Sequence, residues 1–171
     1  GYSNFDINEC SCNYREDKFS VITSANIVNL EYFEEIGRFN DKLFIDMVDY
    51  DYCLRINIKK FKILYFSDVF VEHKLGEVHL RTNIFTRKKK YKTEHNGQSA
   101  YYLSRNRLYL SKNYGKYFPK EFGMLHILNI VFIHDVTKIL IYEIDKWNKL
   151  KAKFIGLYHF IINRYGKYNL K

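Results

Sequence analysis

Proline occurs once in 171 residues, which leaves no material for a Pro-rich linker and argues against a loop-dominated scaffold. Cysteine is nearly as scarce. Cys10, Cys12 and Cys53 are odd in number and irregular in spacing, so they make no disulfide framework, and the expected setting is reducing and cytoplasmic. Glu9-Cys10-Ser11-Cys12 lacks the second ligand pair that a zinc site needs. Nothing reads as a signal peptide, and no uninterrupted apolar run reaches the ~20 residues of a spanning helix. The longest candidate, Met124 to Ile144, is interrupted by His126, Asn129, His134, Asp135, Lys138 and Glu143. No internal repeat divides the chain.

Apolar residues are 47% of the chain and aromatics 18%, which excludes general disorder, and the length suits one domain with a genuine core. Charge is unevenly spread. Residues 1–76 hold 9 Lys/Arg against 13 Asp/Glu, whereas residues 77–171 hold 19 against 6. Acidic clusters often hold metal for phosphate-bearing donors. A basic half seeks an anionic surface, lipid or nucleic acid, or is simply a solvated Lys-rich face.

Phe19 to Ile27 is rich in β-branched residues and predicts a strand leading into a loop. Asn29 caps a short helix over Leu30–Ile36, with Gly37 at its C-terminal end. A second helix is expected from an Asp46 N-cap to about Ile58. Two short strands come next, Phe61–Phe66 and Val69–Glu72, the latter closed by His73. Glu77 to Ser99 is polar, centred on Arg87-Lys88-Lys89-Lys90, and reads as a mobile loop. From Ala100 the pattern is helical: Ala100–Tyr114, a long helix from about Glu121 to Leu150, and a last one over roughly 152–165. Strands with helices first, then helices alone, suit part of an α/β domain with a helical appendage.

Asp46, Asp49 and Asp51 fall within six residues at a predicted helix start. Positions 46, 49 and 53 share a face, and Asp51 and Arg55 stand at i, i+4, where they can pair. Asp49 lies in the first turn, where the helix dipole favours the ionised carboxylate that a general base must be. The alternative is that Asp46 and Asp49 cap the helix and Asp51–Arg55 is a surface pair. His73, at a strand end after this acidic cluster, is either structural or a ligand; imidazole with carboxylates suits Mg²⁺ or Mn²⁺ near a diphosphate.

Thr23-Ser24-Ala25, Gly37-Arg38-Phe39-Asn40-Asp41, Leu43-Phe44-Ile45-Asp46 through Cys53-Leu54-Arg55, and His73-Lys74-Leu75-Gly76 resemble the acceptor half of family 2 glycosyltransferases. The rhamnosyltransferase-like branch is the most similar. Tyr101-Tyr102-Leu103-Ser104-Arg105-Asn106-Arg107-Leu108-Tyr109-Leu110 resembles a motif that these enzymes carry after the catalytic core. The ending, Gly156-Leu157-Tyr158 through Gly166-Lys167, resembles their C-terminus. The likeness runs over about residues 19–167, in order and at natural spacing.

The resemblance implies an inverting transfer of a sugar, rhamnose first among the candidates, from a nucleotide-sugar to a glycan or lipid-linked acceptor in bacterial surface-polysaccharide assembly. It makes Asp49 the general base and His73 a ligand of the divalent metal on the leaving diphosphate. Ser24 belongs to a loop beside sugar and acceptor, with Asp46, Asp51 and Arg55 shaping or supporting the acceptor side. The implied fold is α/β, a partial GT-A-like mixed sheet with flanking helices and then a helical C-terminal extension. Residues 1–76 form the acceptor-side part of the catalytic domain, 77–99 a basic mobile loop, and 100–171 the extension. Three positions depart from the family pattern: Ala25 where glycine is frequent, Asn40 where aspartate is usual, and Lys60 at a turn where glycine is common, which requires a lysine at φ > 0 or a different loop. Eighteen residues before Phe19 cannot hold the family's nucleotide-binding half, so these residues alone are expected to be inactive, with donor contacts made mainly elsewhere.

Met124 to Trp147 is apolar over more than half its circumference, with Lys138, Lys146, Lys149, Lys151 and Lys153 gathering toward and beyond its end. Trp147, Tyr142, Tyr158 and Tyr165 suit a lipid headgroup boundary, and attachment to the inner face of the cytoplasmic membrane would suit the lipid-linked acceptor that the resemblance implies. Helix packing or homo-oligomerisation is the alternative. From a different class, a non-catalytic basic module for anionic membrane or nucleic acid would use Arg87 to Lys92. The basic residues nonetheless spread over helices and a loop without a nucleic-acid-binding signature, so no nucleic acid is expected.

Overall fold

The computed structural model describes residues 14–15, 19–22, 26–66, 78–82, 89–93 and 96–170. The fold is mostly helical, and among these residues the strands pair only two by two. Ser24, His73 and the strand expected at 69–72 lie outside the described residues.

α1 (Leu30–Ile36) begins as its cap predicts: the Asn29 Oδ1 accepts the Glu31 N–H at 2.9 Å. It stops at Gly37, whose φ of +93° lies where an L side chain is strained and whose N–H returns to the Phe33 carbonyl. α2 covers Val48–Ile58 and turns Asp51, Tyr52, Cys53 and Leu54 into the protein. Lys60, after its end, adopts φ +61°, so the lysine does take the left-handed conformation that glycine commonly supplies. Of the expected strand 61–66 only Tyr65–Phe66 (β2) is extended and paired, antiparallel to Tyr14–Arg15 (β1). Phe19–Ile22 and Asn26–Ile27 form no strand, despite their β-branched content. Propensity without a ladder partner does not make a strand.

The polar composition of residues 77–99 predicts a loop, yet Val78–Thr82 (β3) and Lys89–Thr93 (β4) pair antiparallel in a five-rung ladder, Val78 opposite Thr93 and Thr82 opposite Lys89. The ladder satisfies backbone groups, which every residue carries whatever its side chain, so a polar composition alone does not exclude it.

α3 (Gly97–Tyr114), capped by Asn96 through the Ser99 N–H at 2.8 Å, is the spine of the helical part. Its Leu108 and Leu110 join a buried cluster with Leu43, Leu54, Phe122, Ile127 and Val131. Its Ala100, Tyr101 and Tyr102 join Ala152, which lies in a later helix, Lys146–Ile161. There the two backbones come close: a Cβ on Gly156 would stand 2.5 Å from both the Ser104 Oγ and the Tyr101 carbonyl. The Ser104 hydroxyl crosses this contact to the Lys153 carbonyl at 3.3 Å.

The long helix expected over 121–150 is divided differently. Pro119–Phe122 (α4) and Met124–Asn129 (α5) precede a π turn at Ile130–His134, and Asp135–Tyr142 (α6) completes the run. The chain then breaks at Glu143–Asp145, not near Leu150, because Asp145 takes φ +56° and starts the last helix, Lys146–Ile161 (α7). By length and composition Pro119–Tyr142 is apolar enough to cross a membrane, although its polar residues had argued against a span. The charged Asp135 and Lys138 within it both have ion-pair partners.

Candidate functional site

The three aspartates of the α2 entrance occupy three different environments. Asp51 is fully buried. Its carboxylate accepts from Arg55 Nε at 3.0 Å and Arg55 Nη2 at 2.9 Å, from the Tyr114 hydroxyl at 2.8 Å and from the Asn40 amide at 3.3 Å. So complete a shell keeps a buried carboxylate stable and leaves it no face toward a ligand. The i, i+4 pair forms, but inside the protein instead of on its surface. Tyr114, beside that carboxylate and buried, has its hydroxyl pKa pushed well up, first by desolvation and then by Asp51.

The contacts of Asn40 show why an amide stands at this position. Its amide donates to both the Asp51 carboxylate and, at 3.1 Å, the Tyr109 hydroxyl, while its Oδ1 accepts the Lys42 N–H at 3.2 Å. An aspartate here would face Asp51 with a second negative charge where a donor is needed.

Arg55 fastens α2 to the end of α1. Its Nη1 donates to the carbonyls of Ile36 at 3.0 Å and Gly37 at 2.7 Å, and its Nη2 to that of Arg38 at 2.9 Å. A side chain on Gly37 would meet Arg55 Nη1 at 2.9 Å, a second reason for glycine beyond its φ. Arg55 is thus a structural clamp between α2 and the chain that leaves α1.

Asp46 has the side chain of an N-cap but does not cap α2. Met47 holds the N-cap position at φ +65° without a side-chain bond, and Asp46, at φ +59°, reaches instead to the Ser99 hydroxyl at 2.9 Å in the first turn of α3. Phe44 is also left-handed, at φ +65°. Each such residue costs about 1–2 kcal/mol, so this loop needs an external hold. α3 provides it through Arg105 and Asn106, neither of them exposed at all. Arg105 donates to the carbonyls of Lys42 at 3.0 Å and Leu43 at 2.9 Å, and Asn106 to those of Leu43, Ile45 and Asp46 at 3.1, 2.8 and 2.9 Å. In the sequence this Arg-Asn pair stands out only by its resemblance to a family motif. The physical signal that marks it is two strongly polar residues inside an otherwise buried helical stretch.

Asp49 remains. It sits half-buried in the first turn of α2 and accepts the N–H of its neighbour Tyr50 at 2.9 Å. Among the described residues it has no ion-pair partner, so of the three carboxylates it is the one not held by cations or by another element. Below it on the same face, Cys53 is buried, a free thiol whose pKa burial pushes up. The Tyr52 ring packs against Phe33 and Phe39, and its hydroxyl is buried without a partner among the described residues.

Among the described residues no group of three or more His, Cys, Asp or Glu is placed to hold a metal ion. With Asp51 saturated and Asp46 bound to Ser99, these residues by themselves do not fit a divalent cation. Compared with protein-family models, characterised proteins and solved structures, the chain matches none.

Proposed function

We propose that the chain is the acceptor-side part of an inverting glycosyltransferase of the family 2 kind, with a GT-A-like α/β architecture and with Asp49 as its base. In this reading Asp49 takes the proton of an acceptor hydroxyl while that oxygen bonds to the anomeric carbon. The bond from that carbon to the nucleoside diphosphate breaks, the leaving group takes the electron pair, and the configuration inverts. The observation that carries the reading is the unequal use of the three aspartates. Asp51 and Asp46 are tied into the fold, and Asp49 is left half-exposed at a helix start whose backbone is rigidly braced. A base held on a braced element can meet a hydroxyl in fixed geometry.

Arg105, Asn106 and Arg55 act in this proposal by holding the loop and the helix that present Asp49. Mg²⁺ or Mn²⁺ belongs to it through His73 and further residues, and Asp49's part does not depend on the metal. Nucleotide-sugar and glycan or lipid-linked acceptor are the corresponding partners, rhamnose the first donor sugar to try.

In the complete protein, Asp49→Asn abolishes sugar transfer while nucleotide-sugar binding persists. Transfer within a few fold of wild type would refute the base. The 171-residue chain itself, titrated with UDP or dTDP plus Mn²⁺, is expected to show no binding. Micromolar binding would place a nucleotide site within these residues and overturn the assignment of donor contacts to another part.

A further inference from the structure

The helices after α3 carry their polarity the wrong way round for a surface that meets water. In and beside α6 and α7 several charged groups pair inside the protein, while Lys151 stays exposed. Asp135 pairs with Arg107 of α3 at 2.7 Å and with Lys153 of α7 at 3.0 Å, and Glu143 pairs with Lys138 at 3.3 Å and with Lys149 at 3.1 Å. Lys149 and Lys153, two of the lysines that gather toward and beyond the end of the apolar segment, are 3% and 6% exposed. Along the same stretch of chain Leu125, Ile133, Trp147, Phe154 and Ile161 are exposed at 85, 63, 81, 60 and 63%. Only 17% of the most apolar stretch of Pro119–Tyr142 lies inside the protein. Scattered apolar residues on a surface need no explanation, but an apolar face whose own helices hide several of their charges does.

We propose that this face is a docking surface for an anionic lipid bilayer, with Met124–Tyr142 lying in the plane of the interface. Two observations choose lipid over another protein or a second copy. The first is charge. Residues 100–171 carry 13 Lys/Arg against 4 Asp/Glu, and two of those four, Asp135 and Glu143, are locked in the seam. The exposed remainder, Lys116, Lys120, Lys151, Arg164 and Lys167 among it, is cationic and complements anionic headgroups. The second is Trp147, which stands exposed at the start of α7, next to Lys146 and four residues before Lys151, and tryptophan is enriched at headgroup layers.

Lying in the interface fits better than crossing it. The helical run is about 28 Å long at ~1.5 Å per residue, close to a hydrocarbon core. Its inner face, however, is pinned to Arg107 and Lys153, so spanning would carry those charges into lipid. The inference is independent of the transferase reading, since it concerns lipid binding and not sugar transfer.

The test uses the whole 171-residue chain and its single tryptophan as reporter. With phosphatidylcholine vesicles containing ~30% phosphatidylglycerol, the protein is expected to co-sediment and the Trp147 emission to shift to the blue. Pure phosphatidylcholine and 1 M salt should weaken binding severalfold. Ile133→Asp is expected to lower vesicle affinity at least tenfold with an unchanged circular-dichroism melting curve, because its side chain is outside the core. Phe154→Ser is a second variant of the same kind. Failure of the wild-type chain to bind anionic vesicles, or equal binding by both variants, overturns the proposal. So does a concentration-dependent dimer that Ile133→Asp dissociates without any vesicle binding, which would make a second copy the occupant.

Discussion

α2 and α7 both bury charged groups, and what they leave outside is opposite. α2 takes Asp51 and most of Arg55 inward and leaves a carboxylate, Asp49, at the surface. α7 takes Lys149 and Lys153 inward and leaves Trp147, Phe154 and Ile161 at the surface. In each case the buried charge is compensated by a partner from another element or turn, so burial is tolerated. The side left outside differs in character: a carboxylate beside α2, large apolar side chains beside α7. A helix's pattern of charges therefore does not tell which face is outward until its partners are known.

The sharpest test of the contrast within α2 is Asp51→Ala against Asp49→Ala. Removing Asp51 strands Arg55 and the Tyr114 hydroxyl and should lower unfolding free energy by about 3 kcal/mol. Asp49→Ala should change it by less than about 0.5 kcal/mol. Urea denaturation of both measures the difference, and similar losses would mean that Asp49 is also structural.

On the α7 side, Gly156→Ala should destabilise by about 1–3 kcal/mol, because the added methyl meets Ser104 and the Tyr101 carbonyl at the closest approach of α3 and α7. A melting temperature equal to wild type would show that the two helices are not so tightly seated.

A smaller effect depends on pH. Arg105 Nη1 donates to the Tyr101 hydroxyl at 3.2 Å, and that hydroxyl lies 2.8 Å from the His159 Nδ1, so its proton is directed at the ring. This hydrogen-bond relay needs an unprotonated Nδ1. Burial, with Arg164 and Arg105 nearby, pushes the His159 pKa down. The unfolded chain thus binds this proton more readily than the folded one. The contribution of His159 is present above about pH 6.5 and is lost as pH falls through that value toward the lowered folded pKa. Comparing urea midpoints at pH 7.5 and 5.5, His159→Gln should lose less stability on acidification than wild type; an equal loss would place the acid sensitivity elsewhere.

Least in size, Tyr52→Phe removes a buried hydroxyl that has no partner among the described residues. It should be neutral or stabilise by up to about 1 kcal/mol. A clear loss would reveal a hydrogen-bond partner for that hydroxyl.

Local signals carried several elements. Asn29 and Gly37 bounded α1, Pro119 marked the break after α3, and Asp51–Arg55 paired at their helical spacing. The misread positions share a cause. Asp46 has the side chain of an N-cap, yet its backbone is left-handed because Asn106 and Arg105, distant in the chain, hold the loop open. Lys149 and Lys153 have the composition of a solvated face, yet Glu143 and Asp135 draw them inside.

By itself the sequence determined what one or two turns of chain can decide: where helices start and stop, that Asp49 lies in a first turn, and that the latter part is helical and cationic. Caps and i, i+4 contacts are made by neighbours and are legible as spacing. Only the tertiary structure decided which aspartate is left, among the described residues, without a partner from another element, which residues brace its helix, and that the tail buries Lys149 and Lys153 while large apolar side chains stay outside. Those outcomes depend on long-range partners, because a carboxylate or an ammonium goes inside only where the fold supplies its counter-charge.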